Sequence, residues 1–290
     1  MARNVYITGA EHGSGKSAIT LAMMEWLAAH ARRPGFFRPV VKTTDTPDPL
    51  TRLITTRYPL PHPPEALYGA TAAEARALVA RGRYDELLKR VLERYKALEA
   101  GCDQVLVTGT DFSGATAAFE IDFNADVANN LGCVVLPVVN GHDRGMDDLM
   151  DAPASFLQAL GEPGCEALAV LVNRVRPELA AEARTRLGEA FGARHPVYVV
   201  PAEESLARPT MGDVVAALDA RLVYGDSEDL TREVRDYRVA AMLVPDFLDY
   251  IGPGSLVVTP GDRSDIILAS LGSYPSTAYP QIAGILLTGG

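Results

Sequence analysis

Short apolar runs alternate with longer amphipathic stretches along the first two thirds of the chain. The short runs predict buried strands, and they fall at 5–8, 35–41, 103–108, 133–139, 167–172 and 196–200. Apolar residues at helical spacing between them predict helices over 83–98, 119–131, 147–160 and 178–191. Strands that alternate with helices in this way are typical of an α/β fold, a parallel sheet with helices on both faces.

A glycine-rich turn follows the first apolar run, and residues 9–17 read GAEHGSGKS. Glycines allow backbone N–H groups to approach phosphate oxygens, and the start of a helix offers unpaired donors at the positive end of its dipole. In this P-loop pattern Lys16 would reach the β- and γ-phosphates, and the Ser17 hydroxyl would bind Mg²⁺. The predicted nucleotide-binding residues of the turn are Gly9, Gly13, Ser14, Gly15, Lys16 and Ser17, with ATP as the first expectation.

The spacing of this turn differs from the common G-x-x-x-x-G-K-[ST] motif, which needs a glycine where the chain has Ala10. Gly9 lies one position earlier, so the turn is one residue longer than usual. Two alternatives stay open: a glycine-rich turn with a chance lysine, and an inherited loop that keeps its shape without binding a ligand. His12 could contact phosphate or could simply face solvent.

Glycine or polar residues follow several of the predicted strands, namely Gly9, Asp111, Asn140 and Asn173. The carboxyl ends of parallel strands meet at one edge of the sheet, and ligands of open α/β sheets bind there. We therefore expect the site at this edge.

The pattern changes after Pro201, where a smaller second α/β domain is predicted. Its expected strands are 221–224, 239–244, 256–259 and 283–288, and its expected helix is 263–271. The domain boundary falls near 202–212, which gives domains over 1–205 and 206–290. An apolar strand and Gly289-Gly290 close the sequence, and such a strand normally leads into another element. The expectation is a truncated domain, with an edge strand as the alternative.

Composition narrows the function classes. The formal net charge of −10 argues against a nucleic-acid-binding surface, which needs clustered Lys and Arg. Three cysteines without metal-ligand spacing indicate reduced thiols in a cytoplasmic protein. No apolar run approaches the roughly 20 residues that cross a bilayer, so no membrane partner is expected.

Several segments together carry a resemblance to a known family. They are 6–9 with 15–17, 37–40, 66–69, 124–128, 170–174, 208–214, 261–265 and 287–290. In this order they resemble the N-terminal part of the long bacterial phosphate acetyltransferases, which joins a dethiobiotin-synthetase-like P-loop domain to a DRTGG domain. Those enzymes interconvert acetyl-CoA plus phosphate with acetyl phosphate plus CoA.

The resemblance implies a role for the chain within such an enzyme rather than acetyl transfer by the chain itself. The expected role is regulation and assembly, with a C-terminal acyl-transfer domain of the parent protein as partner and a homo-oligomer as the assembly. No catalytic residue is expected in the chain.

The resemblance also has departures. Dethiobiotin synthetase carries lysine where Arg38 stands and an acidic residue where Thr108 stands, which weakens the case for ligase chemistry. With Ser17, Asp48 is the candidate metal ligand and Asp111 a weaker one, although either could only cap a helix or turn. Asn173 and Arg174 lie where the synthetase frames the nucleotide base, and the alternative for them is a strand-end turn.

Three functions compete at this point. The first is a nucleotide-binding regulatory and assembly region of a phosphate acetyltransferase. The second is a free-standing ATP-dependent ligase of the dethiobiotin synthetase type. The third is a scaffold module that binds no nucleotide.

Overall fold

A computed structural model describes residues 3–11, 13–43, 48–110, 117–274 and 276–289. The chain divides into two compact units, residues 1–202 and 203–290. Within the described residues, no helix combines the length and the apolar character needed to span a membrane.

The first unit is built on a seven-stranded sheet. Its strands are β1 (Val5–Gly9), β2 (Pro34–Val41), β3 (Tyr68–Thr71), β4 (Gln104–Thr108), β5 (Val134–Asn140), β6 (Val170–Val175) and β7 (Val197–Pro201). Its helices are α1 (Lys16–His30), α2 (Pro49–Arg57), α3 (Ala72–Ala80), α4 (Tyr84–Glu99), α5 (Ala117–Leu131), α6 (Met146–Gly161) and α7 (Pro177–Phe191).

Every pair of neighbouring strands in this sheet is parallel, and the strand order is β3-β2-β4-β1-β5-β6-β7. α1 packs against α2, whereas α3 to α7 pack against one another in chain order, as right-handed crossovers with this strand order require. The central strands are apolar on both faces because both are covered, and Tyr6, Ile7, Phe36 and Val107 are fully buried. The α/β fold class, with helices on both faces of a parallel sheet, is confirmed.

The strand order places β1 at the point where the chain reverses direction across the sheet. From β1 the chain crosses towards β2 and β3, whereas the connections from β4 onwards run towards β7. Ligand sites of open α/β sheets lie beyond the carboxyl ends of the strands at such a point. The turn after β1 therefore occupies the position that favours a ligand.

The second unit contains a three-stranded parallel sheet in the order β10-β9-β8. Its elements are α8 (Met211–Leu218), β8 (Asp236–Val239), α9 (Val244–Tyr250), β9 (Ser255–Pro260), α10 (Ser264–Ser273) and β10 (Gly284–Thr288). Side chains of β9 alternate between two small cores. Val257 packs with residues of α9 and α10, whereas Leu256 packs with residues of α8.

Two segments of the second unit explain motifs that the sequence singled out. Thr210 and Asp213 form a reciprocal capping box at the start of α8. The Arg263 guanidinium pairs with the Asp265 carboxylate at 2.8 Å and donates to the Met242 carbonyl at 2.9 Å. Arg263 thus joins the start of α10 to the loop that follows β8.

Several predicted elements of the second unit differ from the structure. The strand expected at 221–224 is absent from the described residues. Val223 and Tyr224 are exposed there, so this apolar run is not buried in the core as a strand would be. The strand expected at 239–244 is shifted: β8 ends at Val239, and Pro245 in the first turn of α9 favours a helix start instead.

Candidate phosphate-binding loop at the end of strand β1

The loop between β1 and α1 depends on glycine at two positions. Gly13 and Gly15 have φ values of 80° and 78°, in the left-handed region that favours glycine. Gly15 is the N-cap of α1, and its carbonyl accepts hydrogen bonds from Ala18 N at 3.1 Å and Ile19 N at 3.3 Å. The Ala10 N–H donates to the Val138 carbonyl at 3.1 Å, which ties the loop to β5.

Gly9 makes room for the side chain of Ser14 in this loop. A Cβ on Gly9 would lie 2.4 Å from Ser14 Oγ, so Ser14 folds back over the end of β1. The Ser14 residue is only 2% exposed. The glycine at position 9 therefore leaves the space in which the Ser14 side chain packs.

Lys16 is the first residue of α1 and is 6% exposed, whereas Ser17 is exposed. Thr20, one turn later, donates its hydroxyl proton to the Lys16 carbonyl at 2.8 Å. Thr108 Oγ1 lies 3.0 Å from Thr20 Oγ1. Because the only Thr20 proton is used, Thr108 is the donor in this second hydrogen bond. Thr108 at the end of β4 thus supports the first turn of α1.

Two residues at the end of β6 contact the loop directly. The Asn173 amide Nδ2 donates to the Ser14 carbonyl at 2.9 Å, and the Arg174 Nη1 donates to the Gly13 carbonyl at 3.0 Å. Asn173 is buried. The structure brings both residues to the loop, and the predicted contact of Asn173 with a nucleotide stays a prediction.

Asp48 forms an ion pair with Arg38. The Arg38 Nη1 lies 2.6 Å from Asp48 Oδ2, and both side chains are 11% exposed. The same oxygen accepts from Thr51 N at 3.0 Å, so Asp48 caps α2. Burial raises the pKa of the Asp48 carboxyl, but the Arg38 charge and the hydrogen bonds from Arg38 and Thr51 lower it further, and the net pKa is below its ordinary value. Capping, the alternative that the sequence left open, is observed; metal binding by Asp48 stays a prediction.

Asn124 of α5 lies beside the site, and no role was predicted for it from the sequence. Its Oδ1 accepts from Tyr6 O–H at 2.7 Å and Thr110 N at 2.9 Å. Its Nδ2 donates to the Thr110 carbonyl at 3.1 Å and the Glu120 carbonyl at 2.7 Å. Asn124 thereby fixes the end of β4 beside the site. A polar residue on the buried side of α5 was the available signal.

Two of the predicted residues and the predicted metal site need separate comment. His12 and Asp111 are outside the described residues. Within the described ranges, no three His, Cys, Asp or Glu side chains come together as a metal cluster. In P-loop sites Mg²⁺ is held by the Ser or Thr hydroxyl after the lysine and by an Asp carboxylate, and it bridges the phosphate oxygens. The glycines, Lys16 and the start of α1 together have the features of a phosphate-binding loop.

The AAA domain family matches residues 3–210, which is most of the chain and includes every loop residue described above. The chain belongs to the AAA domain family. The DRTGG domain matches residues 213–290, after the AAA domain, as the sequence predicted.

Two curated relatives of this chain are phosphate acetyltransferases. The phosphate acetyltransferase of Nitratidesulfovibrio vulgaris is 42% identical over 300 residues, covering 100% of this chain and 42% of the relative. That of Synechocystis sp. is 30% identical over 292 residues, covering 99% of this chain and 42% of the relative. The predicted resemblance to a P-loop and DRTGG region of phosphate acetyltransferases is confirmed, and the chain spans about two fifths of these relatives' length.

A comparison with solved structures finds an McdA variant of Cyanothece in complex with ATP. The two chains are 13% identical, with a TM-score of 0.43 over 77% of this chain and 99% of the other.

Proposed function

We propose that the first unit binds a nucleoside triphosphate, ATP with Mg²⁺, through the loop of residues 9–15 and the start of α1. The observation that supports this most is the pair of left-handed glycines, Gly13 and Gly15, immediately before Lys16 at the first position of a fifteen-residue helix. Backbone N–H groups and a helix N-terminus together favour a phosphate anion. The Lys16 ammonium and the Ser17 hydroxyl would supply the charge and the metal contact, with Asp48 as a further candidate ligand.

We further propose that this region regulates and assembles a phosphate acetyltransferase, whose acetyl transfer is carried by a domain outside this chain. The match of nearly the whole chain to about two fifths of each phosphate acetyltransferase supports this proposal. The purified chain should then form no acetyl phosphate from acetyl-CoA and phosphate, and detectable formation would overturn the assignment. We also propose that the chain forms a homo-oligomer, and sedimentation as a monomer at all concentrations would contradict it.

Calorimetric titration of Mg-ATP tests the nucleotide proposal. Lys16→Ala removes a charge-assisted contact of about 1.5–3 kcal/mol, which corresponds to a loss of affinity of at least about tenfold. Lys89→Ala is the matched control, because Lys89 is exposed and lies 3.9 Å from Glu93 on α4. No heat from any of the three proteins would favour a scaffold that binds no nucleotide. Equal heats from the wild type and both variants would show that the nucleotide is not held by Lys16 and would overturn the assignment of the loop.

A further inference from the structure

The end of β6 has an irregular backbone at Asn173 and Arg174. The register between β6 and β7 shifts between Val172 and Val175, and Arg174 has a φ of 62°. Such irregularities change the direction of side chains, and a non-glycine residue in this conformation stores strain. The Asn173 carbonyl accepts from Gly141 N at 2.6 Å, so the irregular segment is anchored to the loop after β5.

The side chains of Asn173 and Arg174 both donate hydrogen bonds to the loop after β1. They donate to two consecutive carbonyls, Asn173 to Ser14 and Arg174 to Gly13. The contact with the loop is close, since a Cβ on Gly15 would lie 2.3 Å from the Asn173 amide nitrogen. The absence of a side chain at Gly15 therefore leaves the space that the Asn173 amide occupies, next to the strained backbone of Arg174.

The direction of these hydrogen bonds has a consequence for the loop amides. In a trans peptide unit the carbonyl and the following N–H point in opposite directions. Holding the Gly13 and Ser14 carbonyls towards β6 therefore points the N–H groups of Ser14 and Gly15 away from β6. Backbone N–H groups of this kind are what a phosphate-binding loop offers its ligand.

We infer that Asn173 and Arg174 form a clamp that holds the loop in its phosphate-binding conformation before the ligand arrives. They are positioning residues in this role, because they act through the loop carbonyls. This inference rests on the proposed nucleotide binding. An affinity that depends on a preformed conformation falls by the fraction of molecules that lose it.

Two variants test the clamp in complementary ways. Asn173→Asp keeps the size of the side chain but replaces the donor with an acceptor. Arg174→Gly removes the donor and also relieves the positive φ, so its urea midpoint should be unchanged or higher. Both should weaken Mg-ATP binding about 5- to 30-fold, the equivalent of one lost hydrogen bond. Asn130→Asp and Arg186→Ala are matched controls, because these side chains make local contacts on the surfaces of α5 and α7.

A second measurement needs no ligand. The ¹⁵N order parameters of Ser14 and Gly15 should be near about 0.85 in the wild type and should fall towards about 0.6 in both clamp variants only. Unchanged order with unchanged affinity, or lower order with unchanged affinity, would overturn the clamp. Absence of Mg-ATP binding by the wild type would instead overturn the proposed function, and the order parameters alone would then decide whether the clamp holds the loop.

Discussion

Gly13 and Gly15 form a matched pair for testing the geometry of the loop. Both have φ near 80°, but in the described part of the chain a Cβ on Gly13 meets no atom within 4 Å, whereas one on Gly15 would lie 2.3 Å from Asn173 Nδ2. A left-handed conformation costs a non-glycine residue about 1–2 kcal/mol. Gly13→Ala should lower the free energy of unfolding by about this amount.

Gly15→Ala should lower the free energy of unfolding by about 2–4 kcal/mol. Besides the backbone cost, Asn173 must move and give up its hydrogen bond to Ser14, a further ~0.5–1.5 kcal/mol, with some packing lost. In an Asn173→Ala background the same substitution should cost only about 1–2 kcal/mol, because the obstructing amide is gone.

Urea denaturation followed by tryptophan fluorescence measures these differences. The chain has a single tryptophan, Trp26 in α1, so the signal reports on the first unit alone. An equal cost for Gly13→Ala and Gly15→Ala, or an equal cost of Gly15→Ala in both backgrounds, would refute the reasoning that Asn173 fills the space beside Gly15.

Three other substitutions probe the surroundings of the loop. Asp48→Asn should lower the free energy of unfolding by about 1–3 kcal/mol, since it leaves the largely buried Arg38 guanidinium without its carboxylate. Because the folded-state pKa of Asp48 is lowered, the stability difference between wild type and variant should be constant above pH ~5 and shrink below pH ~4. A stability difference that grows in acid would contradict the ion pair. Thr108→Val should cost about 1 kcal/mol in urea titrations by removing the hydrogen bond to Thr20, and no cost would show that bond to be unimportant. Asn124→Ala should lower the free energy of unfolding by about 3–5 kcal/mol in the same assay, because several buried partners lose their hydrogen bonds. A loss below about 1 kcal/mol would show that these hydrogen bonds do not hold the end of β4.

The central sheet and its loop could be predicted from sequence because their signals are local. Each central strand is a continuous apolar run, and the turn of residues 9–17 lies between a strand and a helix with its glycines in place. The strand β3 was not predicted because Gly69 and Ala70 lack the β-branched side chains that are typical of strands. The structure explains the small residue: a Cβ on Gly69 would lie 2.7 Å from the Pro39 carbonyl of the neighbouring strand β2.

The contacts at the site could not be predicted in the same way because they are set by tertiary structure. Asn173 and Arg174 were expected near a nucleotide base, and only the folded chain shows that they donate to loop carbonyls more than 150 positions away. Asp48 reads equally well as a metal ligand or a cap in sequence. Its distance to Arg38 identifies the ion pair, and the hydrogen bond from Thr51 N identifies the cap.

The most direct test of the account is an amide NMR titration of the chain with Mg-ATP, compared with adenosine. If the loop after β1 holds a polyphosphate through its backbone, the ¹⁵N–¹H signals of Gly13, Gly15 and Lys16 should move with Mg-ATP and stay in place with adenosine. Signals in this loop that do not move while Mg-ATP saturates the protein, or that move equally with adenosine, would contradict the assignment of the loop as a phosphate site.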